Sequence, residues 1–358
     1  MIAYIADLAV RRKQWMDPET FRNGVALSQS IPGATAMQTA AYVGLRTRGL
    51  PGALASYVGF GLPAFVFMVI LSSLYATSRS LPWVVSLFGG LQVIVVAIVA
   101  HAAISFGRAT IKHHGEVFLA AASTLALLLS ASPFLVIIAA AVAGILILKG
   151  DSSTPAEPLS EAYPRKAGHM IALFLAVPIG LGFLYALRAD LFRLAWLMLK
   201  IDLFAFGGGF ASLPLMLEEI VHARGWMSSK TFMDGIALGQ ITPGPIVITA
   251  AFVGYLLYGI AGATIAAIAI FTPSFVLLVA AAPFFTALGR SRLFRKVLAG
   301  VLASFVGLLF AVTVKFAVAV PWDVVKAIMA AATFCALTRK IDILYIVLVG
   351  AVISIFVL

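Results

Sequence analysis

Two short motifs contain the residues best suited to bind a ligand, because each combines proline and glycine with polar side chains. The first is S-Q-S-I-P-G at Ser28 to Gly33, and the second is G-Q-I-T-P-G-P at Gly239 to Pro245. They lie in the middle of two apolar segments, Arg22 to Leu45 and Thr231 to Tyr258. Proline removes a backbone donor and clashes with the preceding helical turn, while glycine relaxes the backbone. We therefore expect each segment to break into two half-helices.

Such a break exposes backbone N–H and C=O groups at membrane depth, which is tolerated only where they line a protein-buried or water-filled cavity. The second half-helix of each pair is expected to point its positive N-terminal end into that cavity, which favours an anion. The alternative is a proline kink between packed helices whose glutamines bond to their neighbours, but the recurrence of the motif favours a binding site. The candidate binding residues in the two motifs are Gln29, Ser30, Pro32, Gly33, Gln240, Thr242, Pro243, Gly244 and Pro245.

A run of three glycines, F-G-G-G-F at Phe206 to Phe210, is the second candidate site. Because glycine has no side chain, the backbone there can approach either another helix or a ligand. Tight helix packing or a simple helix break explains the run equally well. Lys200, in the preceding helix, could bind a substrate anion, snorkel to the interface or pair with Asp202. The candidate residues of this segment are Lys200, Phe206, Gly207, Gly208 and Gly209.

The remaining ionisable residues are weaker candidates. Lys315 and His101 are expected near helix ends, where a snorkelling lysine or a satisfied histidine is typical. Asp7 and Glu218 occupy matching positions in the two halves of the chain, which leaves open a role in proton coupling. The chain has no H-x-x-x-H, C-x-x-C, Gly-Lys-Ser or serine-elbow motif. We therefore expect a protein that is not an enzyme, with no catalytic residue, metal or cofactor and no ATP-driven pumping.

The composition places these motifs in a membrane. Of the 358 residues, 62% are hydrophobic and 11% are charged, and the mean hydropathy is +1.08. Soluble domains are about half apolar and a quarter charged, so an ordinary cytosolic enzyme is excluded. The net charge of +11 does not indicate nucleic acid, because the basic residues lie in short gaps between apolar runs, where lipid headgroups account for them. The sequence predicts an all-α polytopic membrane protein that does not bind nucleic acid.

The chain divides into two related halves joined by a polar linker. The prolines and acids between residues 150 and 168 are unsuited to lipid, so this segment is expected to be exposed to solvent. Residues 11–66 align with residues 222–276 at an offset of 211, which becomes 210 after a one-residue gap; Trp15 matches Trp226 and Pro63 matches Pro273. We therefore expect a duplicated unit, with an N-terminal repeat at 1–149 and a C-terminal repeat at 169–358, as in many secondary transporters.

The two repeats are expected to differ at their starts and to agree at their ends. Met1 aligns with Ser212, so the first repeat lacks a counterpart of the apolar helix from Ala195 to Gly209. This indicates either that the chain begins late relative to its ancestor or that its start codon is wrongly placed. Asn23 and Asp234 are of the N-cap type and are expected to open the two broken segments. Each repeat is expected to close with two helices too short to span the ~30 Å hydrocarbon core.

The distribution of basic residues predicts that the two repeats are inverted in the membrane. In the first repeat most basic residues flank the broken segment, and in the second most follow the next crossing, so the positive-inside bias reverses. Helix counting opposes this unless the short pair at the end of the first repeat makes one net crossing. In the first repeat, the residues that flank the broken segment are Arg11, Arg12, Lys13, Arg22, Arg46 and Arg48, and Arg79 follows the next crossing. In the second repeat, the flanking residues are Arg224 and Lys230, and those after the next crossing are Arg290, Arg292, Arg295 and Lys296.

The ordered motifs of the two halves form a specific pattern. In the second half they are Phe206 to Phe210, Leu213-Pro214-Leu215, Gly225-Trp226, Asp234-Gly235 and Ala237 to Pro245, and in the first half Ala41 to Gly44, Arg48-Gly49 and Leu62-Pro63. With these motifs the chain resembles the chromate ion transporter family in its two-domain form. Two departures are Ala34, where that family usually has the second proline of P-G-P, and the missing first helix.

The resemblance implies export of chromate, or of sulfate as a close structural analogue, driven by the proton motive force. It also implies a multi-pass protein of a bacterial or archaeal plasma membrane. The expected partners are the oxyanion, the lipid bilayer and, as one option, a second copy of the chain in a homodimer. A carrier of another small anion or of an organic solute would use the same cavity without competition by sulfate. A non-transporting membrane scaffold would be insensitive to changes in both Pro-Gly motifs.

Overall fold

The computed structural model of the chain describes residues 1–148, 167–284 and 291–357, and helices account for most of them. The first half contains α1 (Ile2–Ala6, continued by a π-helix at Asp7–Arg12), α2 (Pro18–Ser30), α3 (Thr35–Ser78), α4 (Pro82–Thr110), α5 (His114–Leu128) and α6 (Pro133–Ile147). The second half contains α7 (Ala167–Leu187), α8 (Ala189–Phe204), α9 (Ser212–Met216, continued by a π-helix at Leu217–Ala223), α10 (Ser229–Ile241), α11 (Thr249–Ala281), α12 (Arg292–Ala319), α13 (Val324–Thr338) and α14 (Ile343–Val357). Short 3-10 turns lie at Gly209–Ala211, Ile246–Ile248 and Ala282–Phe284. The predicted linker, 150–168, lies outside the described residues except for its last two, which begin α7.

The surface of the protein requires lipid. Helices α3, α4 and α12, together with the stretch Ile246–Phe284 that contains α11, are long and apolar enough to cross a membrane. Large apolar side chains point outward, for example Leu146 (79% exposed), Val318 (81%) and Phe356 (83%). A water-soluble monomer does not expose so much apolar surface. The prediction of an all-α polytopic membrane protein is confirmed.

The first Pro-Gly motif forms the tip of a helical hairpin. Helix α2 ends at Ser30 and α3 begins at Thr35. A Cβ atom placed on Gly24 of α2 would lie 2.2 Å from the ring of Tyr42 on α3, so the two helices pack side by side and not end to end. The predicted break is confirmed, and the chain reverses direction at it.

The second Pro-Gly motif forms an equivalent hairpin. Helix α10 ends at Ile241, and the next helical turn begins at Ile246. A Cβ atom on Gly235 would lie 2.3 Å from the ring of Phe252, a contact that matches that of Gly24 with Tyr42. Helices α2 and α10 have 13 residues each, or about 20 Å at 1.5 Å per residue, which is short of the ~30 Å core. Both hairpins therefore have the dimensions of re-entrant segments.

The residues that open α2 and α10 are not those expected from the sequence. The Asp17 carboxylate accepts the Thr20 N–H at 2.8 Å, and the Ser228 hydroxyl oxygen accepts the Thr231 N–H at 3.1 Å. Hydrogen bonds from the Thr20 backbone N–H and from its hydroxyl hold the pKa of Asp17 below its usual value. The prediction that Asn23 and Asp234 are N-caps is wrong, because the helices begin about one and a half turns earlier and place both residues inside.

Helices α3 and α11 each contain a sharp bend at a glycine. Gly49 has φ 66° and ψ −154°, and Gly259 has φ 62° and ψ −150°. This region of backbone conformation is open essentially to glycine alone. The bend in α3 brings Gly44 against Gly52, since a Cβ atom on Gly44 would lie 2.2 Å from the Gly52 carbonyl oxygen. The long second part of each helix can therefore run beside the hairpin.

Alanine at position 259 should lower the stability of the protein by about 1–3 kcal/mol, the usual cost of a strained backbone conformation. In the described part of the chain, no atom beyond the neighbouring backbone lies within 4 Å of a Cβ placed there, so the effect comes from the backbone conformation. Gly59, inside α3 with equally open surroundings, is the matched control, and its replacement by alanine should be neutral or stabilising. Melting temperatures measured in one detergent test this. Equal values for the two variants would show that the bend does not depend on Gly259.

The two halves exchange contacts and share one core. Helix α4 of the first half packs on α13 and α14, and α12 of the second half packs on α5 and α6. Each of these four short helices has 15 residues, in agreement with the predicted short pairs. Glycines allow the approach: a Cβ on Gly90 would lie 1.8 Å from Ser354 Oγ, and one on Gly300 would lie 3.0 Å from Gly144 Cα. Gly90 and Gly300 are 210 positions apart in the sequence, and so are Gly144 and Ser354. The two contacts therefore lie at equivalent positions of the two halves.

Candidate functional site

Three helix breaks meet in the interior. The tip of the first hairpin is tied to the end of α8, where the Gly33 N–H donates to the Ala205 carbonyl at 2.9 Å. The glycine run follows directly. A Cβ on Gly208 would lie 3.4 Å from Thr35 Oγ1, and one on Gly209 would lie 3.0 Å from Ile246 Cγ2. The glycine run thus lies between the starts of the two helices that follow the Pro-Gly tips.

The glycines of this run are required by their conformation. Gly207 has φ +94° and Gly208 has φ +98°, both in the left-handed region that L side chains rarely adopt. A Cβ on Gly207 would also lie 2.4 Å from the Phe106 ring. The run is therefore a helix break, and without side chains its backbone N–H and C=O groups can contact neighbouring groups directly.

Neither helix start beside the glycine run is capped by a side chain. Ala34 precedes α3 and Pro245 precedes the turn at Ile246, and neither provides a capping hydrogen bond. The first N–H groups of a helix have no partner within the helix and carry a partial positive charge. Two such ends directed at one backbone segment form a suitable environment for an anion.

A cavity of about 410 Å³ adjoins the glycine run. Gly207 and Phe210 form one wall, and His101, Ser105 and Phe106 of α4 form another. This volume lies within the range of small-molecule sites. His101, expected near a helix end, lies inside α4, where Nε2 is 3.5 Å from Ser105 Oγ.

The first hairpin tip is surrounded by a cluster of buried polar side chains. Gln38 Nε2 donates to the Pro32 carbonyl at 2.7 Å and to the Ser274 carbonyl at 3.3 Å. The Ser274 N–H donates to Asp202 Oδ2 at 2.8 Å, and the Tyr57 hydroxyl lies 2.6 Å from Ser274 Oγ. We call Gln38, Tyr57, Asp202 and Ser274 the tip cluster.

A second buried cluster connects the second hairpin to the first half. Asp234 of α10 accepts from the Tyr75 hydroxyl and from Gln92 Nε2, each at 2.8 Å, so both of its carboxylate oxygens are bonded. Tyr75 lies on α3 and Gln92 on α4. Asp234 is only 6% exposed. Because its two oxygens accept from side chains on different helices, this carboxylate joins α10 to α3 and α4.

The charged residues considered from the sequence form ion pairs elsewhere. Lys200 Nζ lies 2.9 Å from Glu219 Oε1 and 4.1 Å from the centre of the Phe134 ring, so Lys200 does not pair with Asp202. Arg224 bonds to the same Glu219. Lys315 pairs with Glu218 at 2.9 Å, while Asp7 pairs with Arg12 at 2.6 Å. A role of Lys200 in substrate binding stays a prediction.

The polar residues of the two motifs have different surroundings. Gln29 is exposed, and Ser30 donates its hydroxyl proton to the Ala26 carbonyl of its own helix. Thr242 likewise bonds to the Gly239 carbonyl. By contrast, Gln240 Nε2 is a buried donor without a partner among the described residues. Of these four side chains, Gln240 is therefore the one with an unused donor.

Sequence reasoning did not identify Gln38, Tyr57, Ser274, Tyr75 or Gln92. The available signal was a polar residue within an apolar helix, most clearly Gln92, which follows Leu91 and precedes a run of aliphatic residues. Such residues in membrane helices usually face the protein interior. Which of them meet is decided by contacts between distant parts of the chain.

Comparison with known proteins identifies the relatives of this chain. A family model described as chromate transporter matches residues 1–145 and 192–355. An uncharacterized transporter of Methanocaldococcus jannaschii is 44% identical over 364 aligned positions, which cover 100% of this chain and 89% of that protein. The chromate transport protein of Cupriavidus metallidurans is 30% identical, over 92% of this chain and 80% of that protein. A probable chromate transport protein of Synechococcus elongatus is also 30% identical, over 81% of this chain and 72% of that protein. No solved structure gives a significant match.

Proposed function

The chain belongs to the chromate transporter family, and we propose that it is a secondary transporter that exports a tetrahedral divalent oxyanion, chromate foremost, using the proton motive force. Its family is one of transporters and not of enzymes. The proposed location is the plasma membrane of a bacterium or archaeon, and a homodimer is one assembly to be tested. The relatives named for chromate transport support chromate as the substrate.

The observation that carries the proposal is the pair of uncapped helix starts, at Thr35 and Ile246, on either side of the glycine run. Their N–H groups provide donors and partial positive charge without a buried cation. Gln240 adds a buried unused donor. A cation carrier would be expected to use several intramembrane carboxylates. Of the buried aspartates Asp202 and Asp234, Asp234 already accepts a hydrogen bond at each carboxylate oxygen. We propose Gln29, Ser30, Pro32 and Gly33, together with the glycine run and residues 240–245, as the translocation path.

Reconstituted vesicles test this function. Acid-loaded proteoliposomes should accumulate labelled chromate and labelled sulfate, each competing with the other, and dissipation of the pH gradient should stop accumulation. The Gln240→Ala variant should transport more slowly than the matched Gln29→Ala variant, because Gln240 has the buried unpaired donor. Transport of an organic solute without competition by sulfate would favour the alternative carrier. No transport of any solute by folded protein would favour a scaffold.

We also propose that the two halves are inverted repeats. Equivalent contacts on the two sides support a duplication: Gly33 meets Ser274 as Gly244 meets Ala64, and the bends at Gly49 and Gly259 have the same geometry. The reversed distribution of basic residues supports opposite orientations. In a background without Cys335, single cysteines at positions 47 and 229 should react with impermeant probes from opposite faces. Reaction from the same face would show that the halves are parallel.

A further inference from the structure

Asp202 is a buried carboxylate whose hydrogen bonds are incomplete. It lies in the last turn of α8 and is 0% exposed. Oδ2 accepts the Ser274 N–H at 2.8 Å, while Oδ1 is buried and finds no partner among the described residues. A buried charge is stable only if it is paired and fully hydrogen-bonded. Oδ1 therefore lacks a positive or proton-donating partner among the described residues.

A second unpaired acceptor belongs to the same cluster. Gln38 Oε1 is also buried without a donor in the described part of the chain. Both side chains are joined through one residue, since the Ser274 N–H bonds to Asp202 and the Ser274 carbonyl accepts from Gln38 Nε2. The cluster thus holds two buried acceptors that lack donors among the described residues. A proton bound at Asp202 Oδ1 removes the buried charge and turns that oxygen into a donor.

The other ionisable groups around Asp202 do not neutralise it. On its own helix, Lys200 is bonded to Glu219 of the π-helix after α9. Helix α11, which packs along α8, carries no Asp, Glu, Lys, Arg or His from Thr249 to Ala281, and its two tyrosines are Tyr255 and Tyr258. From α3, the Tyr57 hydroxyl donates to the Phe271 carbonyl at 2.8 Å. From α7, Tyr185 lies against Phe192, near the opposite end of α8.

The other acids with a buried or partly buried carboxylate are already bonded, including Glu116, which accepts the Lys112 and His113 N–H groups. Asp234 has two donors, and Glu218 and Glu219 have cations. Asp7 is bonded to Arg12. Among the described residues, Asp202 thus combines full burial with a free carboxylate oxygen.

The position of Asp202 connects its charge to the proposed path. Ser274, which it bonds, packs against the first hairpin tip, where a Cβ on Gly33 would lie 2.2 Å from Ser274 Cβ. The same tip is bonded to Ala205, three residues after Asp202. A change of charge at Asp202 therefore affects the first tip through Ser274 and the start of the glycine run through Ala205.

We propose that Asp202 is the residue that binds the coupled proton, with Gln38, Tyr57 and Ser274 as the residues that position it. The inference rests on the proposed proton-driven transport. In each cycle Oδ1 takes a proton from one side of the membrane and releases it to the other. Because the carboxyl is closed from solvent in this structure, the protein must open it to each side in turn. By linkage, proton binding and oxyanion binding then alter each other's affinity by the same factor.

The test compares Asp202→Asn with the matched variant Asp234→Asn in proteoliposomes. Wild type and Asp234→Asn should accumulate labelled sulfate in acid-loaded vesicles and should alkalise the lumen as the anion enters, as a pH-sensitive dye reports. Asp202→Asn should lose pH-driven accumulation by about tenfold or more, in the range typical of coupling between sites. It should still exchange internal unlabelled for external labelled sulfate without a gradient.

Three results would overturn the assignment. They are wild-type proton-linked accumulation by Asp202→Asn, loss of both exchange and accumulation in that variant, and accumulation by wild type that follows a sodium gradient. If the asparagine variant does not fold, Asp202→Glu replaces it, and a pH profile of transport identical to wild type would contradict the proposal. Absence of sulfate and chromate exchange in wild type would instead reject the proposed function itself.

Discussion

Leucine in place of Gly244 should abolish transport while the protein still reaches the membrane. A Cβ atom at this position would lie 2.4 Å from Ala64 Cβ, and the longer side chain would fill the space at the second hairpin tip. Overpacking of this kind typically costs about 1–3 kcal/mol, and here it displaces the start of a helix assigned to the anion site. Initial rates of sulfate exchange at matched protein levels measure the effect. Gly59→Leu, at a lipid-facing glycine with no neighbour within 4 Å, should transport normally.

A double variant tests whether the loss of transport comes from the contact between positions 244 and 64. Gly244→Ala adds only the Cβ atom and should reduce both melting temperature and transport. Among the described residues, its chain neighbours apart, the atoms within 4 Å of that Cβ are Ala64 Cβ and, at 3.8 Å, Ala64 Cα. The double variant Gly244→Ala with Ala64→Gly should therefore recover most of the loss, apart from about 1 kcal/mol for glycine inside a helix. Additive losses in the double variant would show that this contact does not hold the second hairpin tip against α3.

Alanine in place of Asp234 should destabilise the protein by roughly 2–5 kcal/mol, because each buried donor left without an acceptor costs about 1–3 kcal/mol. The donors concerned are the Tyr75 hydroxyl and Gln92 Nε2, both 2.8 Å from the carboxylate. They lie on α3 and α4, so the substitution also loosens the contact between the second hairpin and the first half. The loss is measured as a fall in melting temperature in detergent.

Asparagine at position 234 is the matched control for that prediction. Its amide oxygen can accept from Gln92 and its amide nitrogen can donate to the Tyr75 oxygen, so both contacts persist, but the Tyr75 hydroxyl proton loses its acceptor. We expect a loss of about 1–3 kcal/mol, roughly half that of the alanine variant. A loss as large as that of the alanine variant would mean that the negative charge, and not the hydrogen bonding, holds this cluster.

Much of the architecture follows from local chemistry in the sequence. An apolar fraction of 62% requires lipid, and proline beside glycine interrupts a helix whatever surrounds it. The breaks at residues 31–34 and 242–245 were predictable for this reason, whereas the glycine run was equally consistent with tight helix packing until the structure showed a helix break there. The first residues of α2 and α10 were harder to predict, because each region offers two residues of the N-cap type. These are Asp17 and Asn23 before or in α2, and Ser228 and Asp234 before or in α10. The observed hydrogen bonds show that Asp17 and Ser228 are the caps.

What the sequence determined by itself is the membrane class, the two broken segments and the family pattern, because each depends on composition or on residues adjacent in the chain. The tertiary structure alone decided which polar groups are paired. Lys200 finds Glu219 and not Asp202 two positions away, since side chains two apart on a helix do not face each other. Gln38 meets a serine 236 positions later. Hydrogen bonds over such distances depend on how helices from both halves pack, and periodicity along one helix carries no information about its partner.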